Sequence, residues 1–282
     1  MSISVEESYR LCGALARKAH TNFYVSFLAM PNAKREAMCV VYAFMRHSDD
    51  IADDAHSLEA ARAALRGWRE SVVAALEGRE TDEPILPALV DVVRRYGIEP
   101  RYLFELLDGV EMDLSENRFA TFEELYQYCY RVASCVGLVV MPIFGYTDKA
   151  ALALAEACGI AFQLTNILRD VKEDAARGRI YLPAEDMRRF GVEEQDIMAS
   201  RHTPQFAELM RFEVARARGY YAKAAPLLEM ISADSRGTLA VMMGVYGRLL
   251  DKIEARPFRV LEGRVRLTGW EKLRTMIKNW RK

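Results

Sequence analysis

Residues 158–174 read CGIAFQLTNILRDVKED, and this stretch decides the fold. Cys158 to Leu168 is mostly apolar, which places it in a core. Yet Gln163, Asn166, Asp170 and Asp174 interrupt it at spacings of 3, 4 and 4, which puts all four on one face of a helix. The pattern repeats about 120 residues earlier. Ala37 to Met45 (AMCVVYAFM) is apolar all round, the signature of a central helix. It runs into Arg46-His-Ser-Asp49-Asp50-Ile-Ala-Asp53-Asp54, where Tyr42, Arg46, Asp49 and Asp53 form a second polar stripe at spacings of 4, 3 and 4.

Buried carboxylates without partners cost several kcal/mol each, and two such clusters in one domain repel unless a cation lies between them. Oxygen ligands with no His or Cys at ligand spacing suit Mg²⁺, with Mn²⁺ as a substitute. Arg169 beside Asp170, and Arg177-Gly-Arg179 just after Asp174, add anion donors. Metal and arginine together form an electrostatic clamp for a phosphate leaving group. A single D-x-x-x-D on a helix is commonly a solvated face. Two of them, each continuing a polar stripe on an apolar helix, are not explained that way. The chemistry that fits is ionisation of a prenyl diphosphate in a dry, apolar pocket that shields a carbocation from water.

Working outward, the rest of the chain supports a helical body. Glycine (16) and proline (9) are sparse among 282 residues, which disfavours a turn-rich β fold. Helices are expected at Ser4–Leu28, from Pro31 to about Asp54, at 57–77, 86–97 and 100–113, from a Thr121/Glu124 capping box through Phe144, and from Asp148 to about Ala175. Pro204–Ile231, Ser235–Arg256 and Gly269–Lys282 complete them, with a loop at 176–183 and no strand. No linker or repeat divides the chain, so one all-α domain over 1–282 is expected. With 39 basic and 40 acidic residues the net charge is −1, which excludes a nucleic-acid footprint. Thirty of the basic residues are arginine, which suits phosphate but also follows from genomic base composition. Five cysteines without a C-x-x-C imply neither zinc nor disulfides, and residues 1–10 have no signal-peptide core, so the cytoplasm is the expected location. Val132–Thr147, the longest uncharged stretch, is too short to span a bilayer and reads as a buried helix.

Tyr42-Ala-Phe-Met-Arg46-His-Ser-Asp49-Asp50-Ile-Ala-Asp53 resembles the first aspartate-rich motif of the squalene/phytoene synthases. Gln163-Leu-Thr-Asn166-Ile-Leu-Arg169-Asp170-Val-Lys-Glu-Asp174, followed by Arg177-Gly-Arg179-Ile-Tyr181-Leu-Pro183, resembles their second. The likeness runs from Phe23-Tyr-Val-Ser-Phe27 to Asp251-Lys-Ile-Glu-Ala-Arg256. It implies an isoprenoid synthase fold around a central apolar cavity and a head-to-head (1′–1) coupling of two prenyl diphosphates. It assigns Mg²⁺ to Asp49, Asp53, Asp170 and Asp174, with the Asn166 amide close by. Diphosphate falls to Arg46, Arg169, Arg179 and Tyr246, with Arg264 from the tail. Gln163 would face the reacting carbons and Tyr128 matches the catalytic tyrosine. Ala133, Val136 and Gly137 would line the prenyl tunnel, and Tyr42, Tyr181, Phe23 and Phe27 belong to the substrate region. Read without the motif, Tyr128 and Tyr246 are amphipathic core tyrosines and Gly137 a packing glycine. One departure is local: His20-Thr21-Asn22 stands where the family often has Ser-x-Ser.

The Arg256-to-Val265 tail and the Asn22-Phe-Tyr-Val-Ser-Phe27 segment look most like bacterial squalene-type members, including those of hopanoid pathways, and the bulk of Phe27 in a tunnel wall favours C15. The expected reaction is therefore farnesyl diphosphate (C15) to presqualene diphosphate and on to squalene. The alternatives are a phytoene synthase acting on C20 or a dehydrosqualene synthase, both leading to carotenoids, then a terpene cyclase, and outside enzymes a helical assembly factor. No G-x-G-x-x-G motif supports NADPH, although reduction does not require that motif. Residues 256–282 carry nine basic and two acidic residues, a net charge of +7. Trp270, Leu273, Ile277 and Trp280 recur there at helical spacing, which predicts peripheral contact with an anionic inner leaflet. The alternative is that this stripe packs on the domain. Oligomeric state has no signature in the sequence.

Overall fold

The computed structural model describes residues 3–18, 22–28, 30–115, 117–255 and 259–279; the side chains of Asn22, Phe23, Val25 and Asp53 lie outside that description. The chain begins with α1 (Val5–Lys18), α2 (Asn22–Phe27) and α3 (Asn32–Asp53). The single helix expected over Ser4–Leu28 is thus two described helices, with 19–21 outside the described residues. Pro31 is the N-cap of α3 rather than its first helical residue. Then come α4 (Leu58–Leu76), capped by the Ser57 hydroxyl accepting from the Ala60 N–H, and α5 (Leu86–Tyr96), closed by Gly97. Next is α6 (Pro100–Ser115).

The Thr121 cap opens one continuous helical rod, Phe122–Phe144. Its first part is α7 (Phe122–Cys129), its last α8 (Cys135–Phe144), and between them Tyr130–Ser134 is a π segment. The rod packs on α9 (Ala150–Ala176), the central helix. The close seat is Gly159: a Cβ there would meet the Ser134 backbone nitrogen at 2.7 Å and Cα at 2.5 Å, so only glycine lets the π segment lie against α9. Both helices are long and apolar enough to cross a membrane, but more than half of each apolar window is buried inside the domain. The expectation of a buried helix over Val132–Thr147 is met for Val132–Phe144; the helix ends at Gly145, and Thr147 is exposed.

Two short helices, α10 (Ala184–Phe190) and α11 (Glu194–Met198), fall where no helix was expected. At seven and five residues they offer too little apolar periodicity to read. The helix expected over Pro204–Ile231 is broken into α12 (Pro204–Ala224) and α13 (Leu227–Met230), because Pro226 has no N–H to continue the ladder. The chain finishes with α14 (Ala233–Ala255), a single 3₁₀ turn at Arg259–Leu261, and α15 (Gly269–Asn279). Among the described residues there is no strand, only isolated bridges at Arg118–Ile180 and Tyr146–Ile231.

One apolar cluster gathers α3, α5, α6 and α8, and a second gathers α7, α12 and α14. α9 runs through both, with Ala155 and Cys158 in the first and Leu164 and Leu168 in the second. Polar ties fix the helix ends around this centre. Lys34 on α3 donates to the Phe144 carbonyl at 2.9 Å and pairs with Asp234 of α14 at 2.7 Å. Buried Ser48, next to Asp49, donates to the Phe44 carbonyl and accepts from the Trp68 indole at 3.0 Å.

Candidate active site

A cavity of about 330 Å³ lies between α3, α8, α9 and α14. Tyr42, Arg46 and Asp49 enter it from α3, and Ala133, Val136 and Gly137 from the π segment and α8. Gln163 and Asn166 enter from α9, Tyr246 from α14, and Phe27 closes part of the wall. Along both α3 and α9 the lining turns from apolar to polar toward the C-terminal end: Met38 and Val41 precede Arg46 and Asp49, as Ala155 and Cys158 precede Gln163 and Asn166. Tyr42, Arg46 and Asp49 of one stripe and Gln163 and Asn166 of the other therefore meet on one cavity. Tyr246 stacks on Phe162 at 4.5 Å, and burial holds its hydroxyl protonated. Phe23 and the Asp53 side chain lie outside the described residues.

Beyond the cavity wall, α9 carries Arg169, Asp170 and Asp174. Asp170 is gripped by two guanidinium groups. Arg169 donates from Nε at 2.7 Å and also from Nη2, and Arg264 donates from Nε at 2.7 Å and from Nη2 at 3.1 Å. The tail thus reaches the second motif. Arg46 pairs with Asp50, one turn on. Asp174 has its carboxyl pushed up to about 7, first by burial and then by the charge of Asp170.

Among the described residues no three acidic, His or Cys groups converge tightly enough to chelate an ion. The donor set nonetheless fits a hard cation. It is all oxygen, Asp174 is a buried carboxylate whose crowding by Asp170 and Asp113 is only partly offset by Arg179 and Arg177, and Asn166 Oδ1 is buried with no hydrogen-bond partner while its Nδ2 donates to Gln163 at 3.2 Å.

Tyr128 sits on a second face. Its hydroxyl donates to Asp113 Oδ1 at 2.8 Å, and the Tyr181 hydroxyl donates to the same oxygen at 2.8 Å. The two rings stack at 5.3 Å with Phe119 beside them, and Arg179 hydrogen-bonds Tyr181. Burial, reinforced by Asp113, raises both phenols, so both stay neutral donors. Asp174, Arg179 and Tyr181 share a small void of about 10 Å³. Asp113 was not singled out from the sequence. Its one signal is a carboxylate in the last turn of α6, where the helix dipole disfavours it.

Residues 16–271 match the squalene/phytoene synthase family model. The chain belongs to the squalene/phytoene synthase family. It is 36% identical over 282 aligned residues to the 15-cis-phytoene synthase of Synechococcus elongatus, covering 96% of this chain and 91% of that one. To the phytoene synthase of Mycobacterium bovis it is 36% identical, covering 95% and 89%. Among solved structures it superposes on a dehydrosqualene synthase crystallised with a ligand at TM-score 0.89, with 28% identity, 97% of this chain and 95% of that one. On the squalene synthase of Alicyclobacillus acidocaldarius the TM-score is 0.85, with 28% identity, 90% and 95%. The all-α isoprenoid synthase fold and a family of head-to-head prenyltransferases are thereby shown. The expected squalene-type product is not confirmed: these curated relatives are phytoene synthases, while the two solved structures are a dehydrosqualene synthase and a squalene synthase. One bulky wall residue is a weak discriminator, because a methylene or two of pocket space separates substrates only modestly.

Proposed function

We propose that this protein is a phytoene synthase, joining two geranylgeranyl diphosphates (C20) head to head. The observation that carries this reading is the 36% identity, over nearly the whole chain, to proteins of that name. The cavity supports it in kind, being apolar along most of its wall and polar where Asp49, Gln163 and Asn166 enter. Mg²⁺ held by Asp49, Asp53, Asp170 and Asp174, with the Asn166 amide oxygen as a further donor, would stabilise the charge of the departing diphosphate.

The chain's own residues do the rest. Arg46, Arg169, Arg179 and Arg264 bind and orient diphosphate through their guanidinium forks. Arg169 and Arg264 are already gathered at Asp170 and have only to exchange one anion for another. Met38, Val41, Val136 and Phe162 keep water from the reacting carbons, and Ala133 and Gly137 leave room for the chains. Gln163 presents its amide at the polar end. Tyr128, held neutral and aimed by Asp113, is the proton donor or diphosphate ligand on the second face.

A C15 reading, giving dehydrosqualene or squalene, is favoured by the two structural neighbours and by Phe27, which is 3% exposed in the cavity wall. The test incubates the protein with Mg²⁺ and either C15 or C20 diphosphate, with and without NADPH, and identifies the product by mass. Coupling to phytoene loses protons and needs no hydride, whereas squalene consumes one. The proposal predicts phytoene from C20 without NADPH. Turnover of C15 alone would overturn it, and squalene formed only with NADPH would identify the bacterial squalene-type reaction.

A further inference from the structure

Helix α15 is seated with Thr275, Met276 and Asn279 inward, Met276 against the second apolar cluster. Asn279 is buried and Thr275 half-buried against Gly244 of α14, where a Cβ would meet Asn279 Nδ2 at 2.4 Å and Thr275 Cγ2 at 3.2 Å. Lys252 of α14 pairs with Glu271 at 2.7 Å, and Thr268 and Glu271 form a reciprocal cap. The apolar stripe is left facing out: Trp270 is 77% exposed, Leu273 44% and Ile277 62%. The other large apolar side chains exposed among the described residues (Val5, Leu15, Leu28, Leu58 and Met198) are scattered over four other segments. The expectation that this stripe packs on the domain is therefore not met for these three residues. Trp280 lies outside the described residues.

We infer that α15 docks the protein on the surface of an anionic lipid bilayer. An outward row of Trp, Leu and Ile gains by leaving water, and Trp suits the headgroup boundary. Exposed Arg274 and Lys278 flank that row, and Arg266 is exposed just before it. The segment 256–282 carries +7 in a chain of net −1, so the rest of the chain carries −8. Exposed Arg266, Arg274 and Lys278 beside an apolar row match an anionic leaflet, and they oppose pairing with a second copy of the same face. The placement also serves an apolar substrate. Leu239, Met242 and Tyr246 of α14 face the cavity, while Ala240, Met243 and Gly244 of the same helix face the groove beside α15. One helix, about 10 Å across, separates the cavity from the docking helix.

The test is flotation of the full chain with phosphatidylcholine vesicles, with and without phosphatidylserine, at low and high salt. Wild type is expected to float with the anionic vesicles at low salt and to be released by salt. Trp270→Ala combined with Ile277→Ala should weaken binding about tenfold or more, and Arg274→Glu with Lys278→Glu should abolish it. All four residues are exposed, so unchanged circular dichroism is expected and confirms the fold. Wild type remaining in the soluble fraction at low salt overturns the inference, as does a Trp270/Ile277 variant that floats like wild type. Concentration-dependent dimerisation of the free protein that the same variant removes would assign the stripe to a second copy instead.

Discussion

At the scale of single residues, Asp113 accepts two tyrosine hydroxyls on one carboxylate oxygen. Asn at 113 keeps the shape and an acceptor but removes the charge. A hydrogen bond to a charged group contributes about 1.5–3 kcal/mol, so Asp113→Asn should lower kcat by about 10- to 100-fold with KM little changed, because Asp113 positions Tyr128 rather than holding substrate. Steady-state kinetics check this: a rise in KM alone would make Asp113 part of substrate binding, and wild-type rates would return Tyr128 to a packing role. Asp170→Ala should nearly abolish turnover at saturating Mg²⁺ while thermal stability stays close to wild type, since a carboxylate that crowds Asp174 is removed along with its arginine contacts. Full activity of that variant would refute its assignment to the metal. Asp49 and Asp170 were legible because each continues a polar stripe on an apolar helix. Asp113 was not, because its partners lie 15 and 68 residues away and no spacing on its own helix announces them.

At the scale of elements, Gly159 sets how closely α9 and the π segment approach. Gly159→Ala pushes a methyl group into the Ser134 backbone, which cannot swing aside as a side-chain tip could. The expected cost is about 1–3 kcal/mol, read as a fall of several degrees in Tm. Gly247→Ala on α14 meets nothing within 4 Å and serves as the control, neutral or slightly stabilising. Equal Tm values for the two variants would show that the π segment gives way freely. Most long helices could be read from the sequence because a buried face repeats its apolar residues over several turns, as in α3 and α9. The π segment could not, since an extra residue per turn leaves the composition of YRVAS unremarked. Nor could the seating of α15, because a stripe of Trp, Leu and Ile at helical spacing has the same pattern whether it faces core or solvent.

At the scale of the molecule, stability should depend on pH through a buried cluster remote from the cavity. Arg216 of α12 pairs with Asp186 of α10 at 2.8 Å and with Glu213 at 2.7 Å. Two carboxylates share one guanidinium, and burial raises Glu213 to about 8, with Arg216 opposing and Asp186 adding to the shift. From the ordinary value of 4.5 up to about 8 the folded protein keeps a proton that the unfolded chain has released. Its contribution is complete below that window and lost as pH rises through it. Tm should therefore fall between about pH 5 and 8 more steeply in wild type than in Glu213→Gln, which stays neutral throughout; identical slopes would show Glu213 ionised in the fold. The same scale gives the rod Phe122–Phe144 its meaning. Cys135 N–H returns to the Tyr130 carbonyl, five residues back, so the rod holds one residue more than a regular helix of its length. That residue is a phase shift of about 100°, and it lets a single shaft present Tyr128 to Asp113 and Gly137 to the cavity. The two rooms keep their register only through that residue, so removing Arg131 from the segment would throw them out of register while the cavity lining and the Tyr128–Asp113 pair kept every side chain.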